Sequence, residues 1–503
     1  MGVWGFIAGA VFLLLILAVI GFLLVCGYIY YLHLKYDHIP GPPRDSLLLG
    51  HLPSLMKMMR NSEIIYDSFF EWIERYGPVI RLNALHKVMI FVVSPEGVKE
   101  FLLSPKYTKD DFYDILHNLF GARFMGRSLL AAQNYDHWHK QRRIMDPAFK
   151  KANLLESLGI FDEKAEELMD RLTEKADWKS QVGMHNMMNR VTLDVIAKVA
   201  FDMDLNSVQD DQTPFPKTIS TVMRGMVEAR DPLSLFYPSN QSFIKEVKKS
   251  LQFLRETGKE CIERRVKAIQ DGEDVPKDIL TQILKGSDVE EGCTMEDLID
   301  NFVTFFIAGQ ETTANQLSFC LMELARNPEV LARLQVEVDE VIGSKRDIVY
   351  EDLRKLKYLS QVLKETLRLY PTAPGTSRWS ESDIVIEGHM IPRGSHVMFN
   401  TYIMSRMEKY FPDPLVFNPD RFHPDVPRPA HVYFPFSLGP RTCIGQAFAQ
   451  MEAKVVIAKF VQRFEFELVE GQSFRILDTG TLRPLDGVIC RLRPRAERKT
   501  LKK

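Results

Sequence analysis

The sequence predicts a mainly α (α+β) domain with a small β-rich subregion, preceded by one N-terminal transmembrane helix. Three observations carry this reading. The stretch Val3 to Leu32, VWGFIAGAVFLLLILAVIGFLLVCGYIYYL, has no charged residue and is long enough to cross about 30 Å of hydrocarbon. From Pro95 to Leu369 apolar residues recur at helical spacing, as in EELMDRLTEKA, VEVDEVIG and LSQVLKETLRLYP. Strand-like runs are few and short: VIRLNALHKVMIFVVSP after Gly77-Pro78 reads as a hairpin, and DIVIEGHMIP and FEFELVEG as further strands.

The apolar span ends in Tyr28, Tyr30 and Tyr31, an aromatic signature of a membrane interface. It lacks the basic leader and short core of a cleaved signal peptide, so residues 1–33 are expected to be a single-pass signal anchor. Lys35, Arg44, Lys57 and Arg60 follow it and nothing basic precedes it, which places the rest of the chain in the cytosol. HIPGPPR carries three prolines that cannot continue a helix, and residues 34–50 read as a stiff linker. Residues 51–503 show no repeat or second linker and read as one domain. Lys plus Arg (64) nearly equals Asp plus Glu (66), so bulk charge gives no case for a nucleic-acid partner. The six cysteines lie far apart without a C-x-x-C pair, which excludes a disulfide framework and a structural zinc site.

Four stretches carry chemistry. DNFVTFFIAGQETTANQLSFCLMELARNP, Asp300 to Pro328, is apolar over most of its circumference and reads as a buried central helix. At its middle stand Ala308-Gly309 and Glu311-Thr312-Thr313. Small residues there let a flat group approach the backbone, and Glu311 with Thr312 suits proton delivery; a helix-packing notch is the plainer alternative. Glu365 and Arg368 share a helical face and can pair, with Arg421 of FNPDRF as a third member of a buried cluster. Glu323/Arg326 and Glu351/Arg354 have the same spacing and read as surface pairs. In YDHWHKQRRIMDPAF, Trp138 and Arg142 lie one helical turn apart and suit a planar anionic group, although a solvated basic face has the same pattern. Finally, FPFSLGPRTCIGQAFAQ sets Cys443 in a glycine-flanked loop two residues after Arg441, ahead of a helix start that favours a thiolate.

FSLGPRTCIG satisfies F-x-x-G-x-R-x-C-x-G at every fixed position, and AGQETT, E-x-x-R, FNPDRF and the tryptophan–arginine pair occur in order. In this the chain resembles cytochrome P-450, the haem-thiolate monooxygenases, across nearly its whole length. The resemblance implies haem b (iron protoporphyrin IX) ligated through iron by Cys443, with Arg441, Trp138, Arg142 and Arg378 holding its propionates. It implies Ala308 and Gly309 beside the opposite haem face, where dioxygen binds, and Thr312 and Glu311 as catalytic residues. Electrons are expected from NADPH through a separate NADPH–cytochrome P-450 reductase, since the chain has no flavin or nicotinamide fingerprint. The cluster Lys140, Arg142, Arg143, Lys150 and Lys151 is its expected dock. NFVTFFIAGQET, EVDEVIGSKR and YFPFSLGPRTCIGQAFAQME are similar to sterol hydroxylases of the endoplasmic-reticulum membrane. They imply a sterol substrate, cholesterol hydroxylated at the side chain (24-hydroxylation), in a pocket with Phe120, Ile307, Ala308, Ala373 and Thr481. Matches thin between Asp110 and Ser250, and Pro374 departs from the sterol enzymes. A hydroxylase of another lipid or xenobiotic, and a non-catalytic haem-binding sensor or carrier, stay open at this point.

Overall fold

The axis of the structure, a computed structural model, is a 32-residue helix, Met295–Arg326. Residues 2–60, 64–231, 233–287 and 293–496 are described; the last residues of the predicted 51–503 domain, 497–503, lie outside them. The helix begins where the sequence supplies a cap. Thr294 Oγ1 accepts from the Asp297 amide at 3.2 Å, and Asp297 accepts from the Thr294 amide at 3.1 Å, a reciprocal pair that satisfies two orphan donors. It stops at Asn327, ahead of Pro328.

Several helices sheathe this axis. Met184–Phe201 lies along it, and Phe201 packs on Phe302 and Phe306 with ring centroids 4.4 and 5.3 Å apart. Each fully buried phenylalanine contributes about 1.5–3 kcal/mol. Gln446–Arg463 packs on another flank. There Glu452 is buried, and neither of its carboxylate oxygens makes a hydrogen bond of ordinary geometry among the described residues. Burial pushes its carboxyl well above the ordinary value of 4.5, with the nearby Thr313 hydroxyl offsetting this only in part.

The β-rich subregion is chiefly a four-stranded sheet in the order Val79–Ala84, Lys87–Val92, His396–Asn400, Gly375–Trp379. The middle pair is parallel and the outer pairs antiparallel. The expected hairpin is its first pair, turning at Leu85-His86. DIVIEGHMIP forms the hairpin Ile384–Ile386/His389–Ile391, and FEFELVEG the strand Phe464–Leu468.

The N-terminal helix, Gly2–Lys35, contains a segment, Phe6–Lys35, long and apolar enough to cross a membrane. Its end is stitched to the domain. The His33 ring nitrogens lie 3.0 and 2.8 Å from the carbonyl oxygens of Leu47 and Leu85, Arg44 donates to the His33 carbonyl at 3.1 Å, and Ser395 donates to the buried Tyr36 hydroxyl at 3.1 Å. The proline-rich residues that follow lie against the first hairpin, where the Arg81 amide donates to Pro40.

One expected surface pair is not at the surface. Glu351–Arg354 is exposed, but Glu323 is buried beneath the helix end, where Tyr370 donates to it at 2.6 Å beside Arg326. The i, i+3 spacing cannot distinguish the two cases.

The Glu452 environment makes a prediction. A carboxyl raised in the folded state binds a proton that the unfolded chain has released, so stability falls as pH rises above the ordinary carboxylate range. Glu452→Gln is expected to unfold at a higher temperature than the parent at pH 8, with the gap closing as pH approaches 4.5. Parallel calorimetric pH series check this, and a pH-independent gap overturns it.

Candidate functional site

Cys443 sits where the Gly439–Arg441 turn meets the N-terminus of Gln446–Arg463. Its amide donates to Phe436 at 2.9 Å and the Thr442 hydroxyl to the same carbonyl at 3.2 Å, so the loop is closed by its own backbone. Its side chain has free surface, yet it is deep enough that burial pushes the thiol up. The free surface is therefore internal. The Gly445 amide, which bonds to the sulfur, and Arg142 oppose that shift, and both favour a thiolate.

The glycines around the site answer to different neighbours. Gly439 has φ +67°, and a Cβ there would collide with the carbonyl of Leu102, at the end of helix Pro95–Leu103. It answers to that helix. A Cβ on Gly309 would stand 2.8 Å from Ile196 Cγ1, so the need for glycine at 309 comes from the packing of Met184–Phe201 against the axis. Gly445 alone borders the sulfur, with room for a Cβ 3.9 Å from Sγ.

The Trp138 helix, Tyr135–Met145, bridges the two sides of the site. Gln141 accepts from Asn301 of the central helix at 2.6 Å. Arg142 donates to the Thr442 carbonyl at 2.7 Å and to Asp146 at 2.6 Å. Arg142 thus pins the cysteine loop and points inward, away from the exposed Lys140, Arg143, Lys150 and Lys151. The central helix is buried from Ile299 to Leu324 except at Ala308, Gly309 and Thr312. Ala308 and Thr312 share a face, so this frame holds two free surfaces, a thiol and a strip of small residues.

Along one edge the frame is short of negative charge. Arg441 lies 4.0 Å from the Trp138 ring and donates to Ala132 at 2.8 Å, while its buried Nη2 has no hydrogen-bond partner among the described residues. Burial, then the Arg378 guanidinium, push Arg441 down to about 9. Arg378 is buried, donating to Thr376 and Ser377, and burial lowers it too. Lys109 donates to the Leu130 carbonyl and is held well below its ordinary value by burial, then by Arg441 and Arg378. Asp110, the one carboxylate acting on Lys109 and Arg378, is taken by Ser377 at 2.5 Å and His396 at 3.0 Å. Guanidinium groups do not deprotonate in proteins, so the cluster calls for anions from outside the chain. Beside a thiol and a flat apolar strip, those residues fit a planar dianionic group. Sequence reasoning missed Lys109, whose only signal was a lysine in KYTKDDFY.

On the strip, Thr312 Oγ1 donates to the Ala308 carbonyl at 2.7 Å. Glu311, one residue earlier, points to another face. It accepts from Thr481 at 3.1 Å; Asn315 donates to Thr481 at 3.0 Å and lies 2.8 Å from His185 Nε2. Burial raises the Glu311 carboxyl, with Thr481 the first opposing influence. Thr481 was expected to line the substrate pocket, but its hydroxyl is spent on Glu311. Phe120 and Ile307 are core residues, 8% and 2% exposed, and Phe120 sits at φ +53° in a tight turn. Ala373 is exposed between the buried Thr372 and Pro374.

The expected cluster forms unevenly. Glu365 and Arg368, both fully buried, pair through two bonds of 2.7 and 2.8 Å. Arg421 approaches Glu365 only to 3.4 Å and spends its fork on the carbonyls of Pro412 and Asp413.

The family model described as cytochrome P450 matches residues 40–490. The chain belongs to the cytochrome P450 family. It is similar to cytochrome P450 4d2 of Drosophila melanogaster, 31% identical over 482 residues, covering 91% of this chain and 94% of that protein. Cytochrome P450 3A16 of Mus musculus is 27% identical over 450 residues, 86% of each chain, and cytochrome P450 6a8 of Drosophila melanogaster 29% over 468 residues, 87% and 90%. Members are haem b monooxygenases that take electrons from a reductase; haem, planar with two propionates, is the kind of group the cation cluster fits. Lys109→Ala is expected to lower haem retention, read as the Soret-to-280 nm ratio after dialysis, several-fold relative to the parent. Unchanged retention overturns a role for Lys109 in holding the propionates.

Proposed function

We propose that this chain is a membrane-anchored P450 monooxygenase of the endoplasmic reticulum, with residues 1–33 as anchor, 34–50 as linker and 51–503 as cytosolic catalytic domain, hydroxylating a sterol. The observation that carries it is the frame uniting Cys443, the unpaired cations and the Ala308/Thr312 strip. Cholesterol 24-hydroxylation is the specific reaction favoured, because the resemblance to sterol side-chain hydroxylases runs through NFVTFFIAGQET, EVDEVIGSKR and the cysteine loop. The small side chains of Ala308 and Ala373 leave an apolar lining suited to a nearly uncharged substrate.

Cys443 would ligate haem iron, and Lys109, Arg378 and Arg441 would pair with the propionates. Thiolate-ligated haem supplies dioxygen activation for insertion into an unactivated C–H bond. Trp138 packs beneath Arg441, and Arg142 steadies the loop and favours the thiolate. The Thr312 hydroxyl holds a hydrogen-bonding position on the open strip. Glu311, raised by burial, keeps a proton more readily than a surface carboxylate and would pass it towards that strip by rotating off Thr481. Exposed Lys140, Arg143, Lys150 and Lys151 offer a basic face to NADPH–cytochrome P-450 reductase.

Turnover of cholesterol by the full chain, reconstituted with that reductase and NADPH, tests the reading, with products identified by mass spectrometry. A side-chain hydroxysterol is expected. NADPH-dependent oxygen uptake without hydroxysterol points to another lipid or xenobiotic, and haem binding without oxygen uptake to a carrier. Glu311→Gln is expected to lower product per NADPH by about 10²-fold while peroxide release rises; equal coupling in variant and parent rules out proton delivery by Glu311.

A further inference from the structure

A cavity of about 460 Å³ lies at the foot of the N-terminal helix, lined by Lys35, His38, Asp383, Met390, Pro392 and Arg393. Its position relative to a bilayer follows from the helix. Lys35 is the last helical residue, four beyond Tyr31 and so about 6 Å further along the axis. If the tyrosines mark the interface, Lys35 stands among the headgroups. Of the lining residues Met390 is apolar and exposed, its cross-strand partner Val385 on the Ile384–Ile386/His389–Ile391 hairpin is exposed as well, and Leu34 and Leu47 are exposed on the neighbouring helix end and loop. Val385 and Met390 are exposed by more than half. Apolar groups on a polar rim are what a lipid surface takes up.

The walls are fixed in place. His38 ties them together, its ring nitrogens 3.1 and 2.8 Å from the carbonyl oxygens of Lys35 and Met390. The charge inside is positive and uncommitted. Lys35 Nζ has only the Tyr36 ring, 5.3 Å away, and among the described residues neither Lys35 nor the Arg393 guanidinium forms an ion pair. Asp383 is the one carboxylate in the lining, and it accepts from the Arg393 amide at 2.7 Å. The nearby Asp37 is held by Arg44 and by Arg81 at 3.0 Å. A guanidinium and an ammonium across one cavity are the donor set that a phosphate takes.

With the N-terminal helix read as a bilayer span, as proposed above, we propose that this cavity binds the phosphate of an anionic phospholipid headgroup. Lys35 and Arg393 pair with the phosphate, Val385 and Met390 meet the acyl boundary, and Asp383 weakens the site by its own charge. The site gives the domain a second, lipid-specific attachment beside the helix.

The test uses the full-length, haem-loaded protein in phosphatidylcholine nanodiscs carrying spin-labelled phosphatidic acid, with spin-labelled phosphatidylcholine as control. The expected result is a motionally restricted fraction larger for phosphatidic acid than for the control. The Lys35→Ala/Arg393→Ala variant is expected to lower that selectivity by roughly thirtyfold, as two juxtamembrane cations would, and Asp383→Asn to raise it. All three residues are exposed, and an unchanged Soret spectrum verifies the fold of each variant. Equal selectivity in the double variant overturns the proposal. Displacement of the probe by millimolar inorganic phosphate also overturns it, assigning the cavity to soluble anions. Absence of the chain from the disc fraction overturns the anchor reading itself, an outcome separate from loss of lipid selectivity.

Discussion

Buried positive charge in excess of buried negative charge is the constraint on which the centre of this protein depends. Lys109, Arg378 and Arg441 come from three distant stretches, and among the described residues Asp110 is the carboxylate that acts on Lys109 and Arg378, with none acting on Arg441. Charges of one sign held together in a poorly hydrated interior repel strongly. The chain holds them by anchoring their donors on carbonyls and an indole face, Leu130, Ala132, Ser377 and Trp138. The folded polypeptide is thus electrostatically complete only in company with an anionic group, which couples its stability to that group.

The frame around this imbalance is built from bonds that ignore the group itself. Glu365–Arg368 ties the helix Lys357–Leu369 to the carbonyls of Ser405, Pro414 and Val416. Asn301–Gln141 and Arg142–Thr442 tie the central helix to the cysteine loop through one short helix. A buried ion pair contributes little net stability, but here each polar contact fixes the height of one wall relative to another. The division of labour between Thr312 and Glu311 has the same origin. Consecutive residues on a helix point about 100° apart, so one faces the open strip and the other is met by Thr481.

Much of this was legible because it is local. A capped apolar helix, a glycine-flanked cysteine and an i, i+3 charge pair are written within a few residues, and the helix, the loop and the Glu365–Arg368 pair are where the sequence put them. What was not legible depends on partners far along the chain. Lys109 is unremarkable until the turn carrying it meets strand Gly375–Trp379. Gly309 looked like a concession to a flat group, but the packing of Ile196 requires it, and Gly439 answers to Leu102. The bond of Thr481 to Glu311 joins residues 170 apart, which no local pattern reports, and nothing local separates buried Glu323 from exposed Glu351. Arg421 has the right type and place, yet its fork settled on carbonyls, which no motif reports.

The stitching of His33, Tyr36 and Arg44 to the first hairpin and to Ser395 bears on how this protein meets others. A domain on a loose tether tumbles, and every encounter must find the right face among all orientations. With that helix in a membrane, as proposed, a domain welded to it would turn mainly about the membrane normal, keeping each face at a set altitude above the lipid. A second protein confined to the same surface then searches a thin layer instead of a volume, which raises its effective concentration without any added contact.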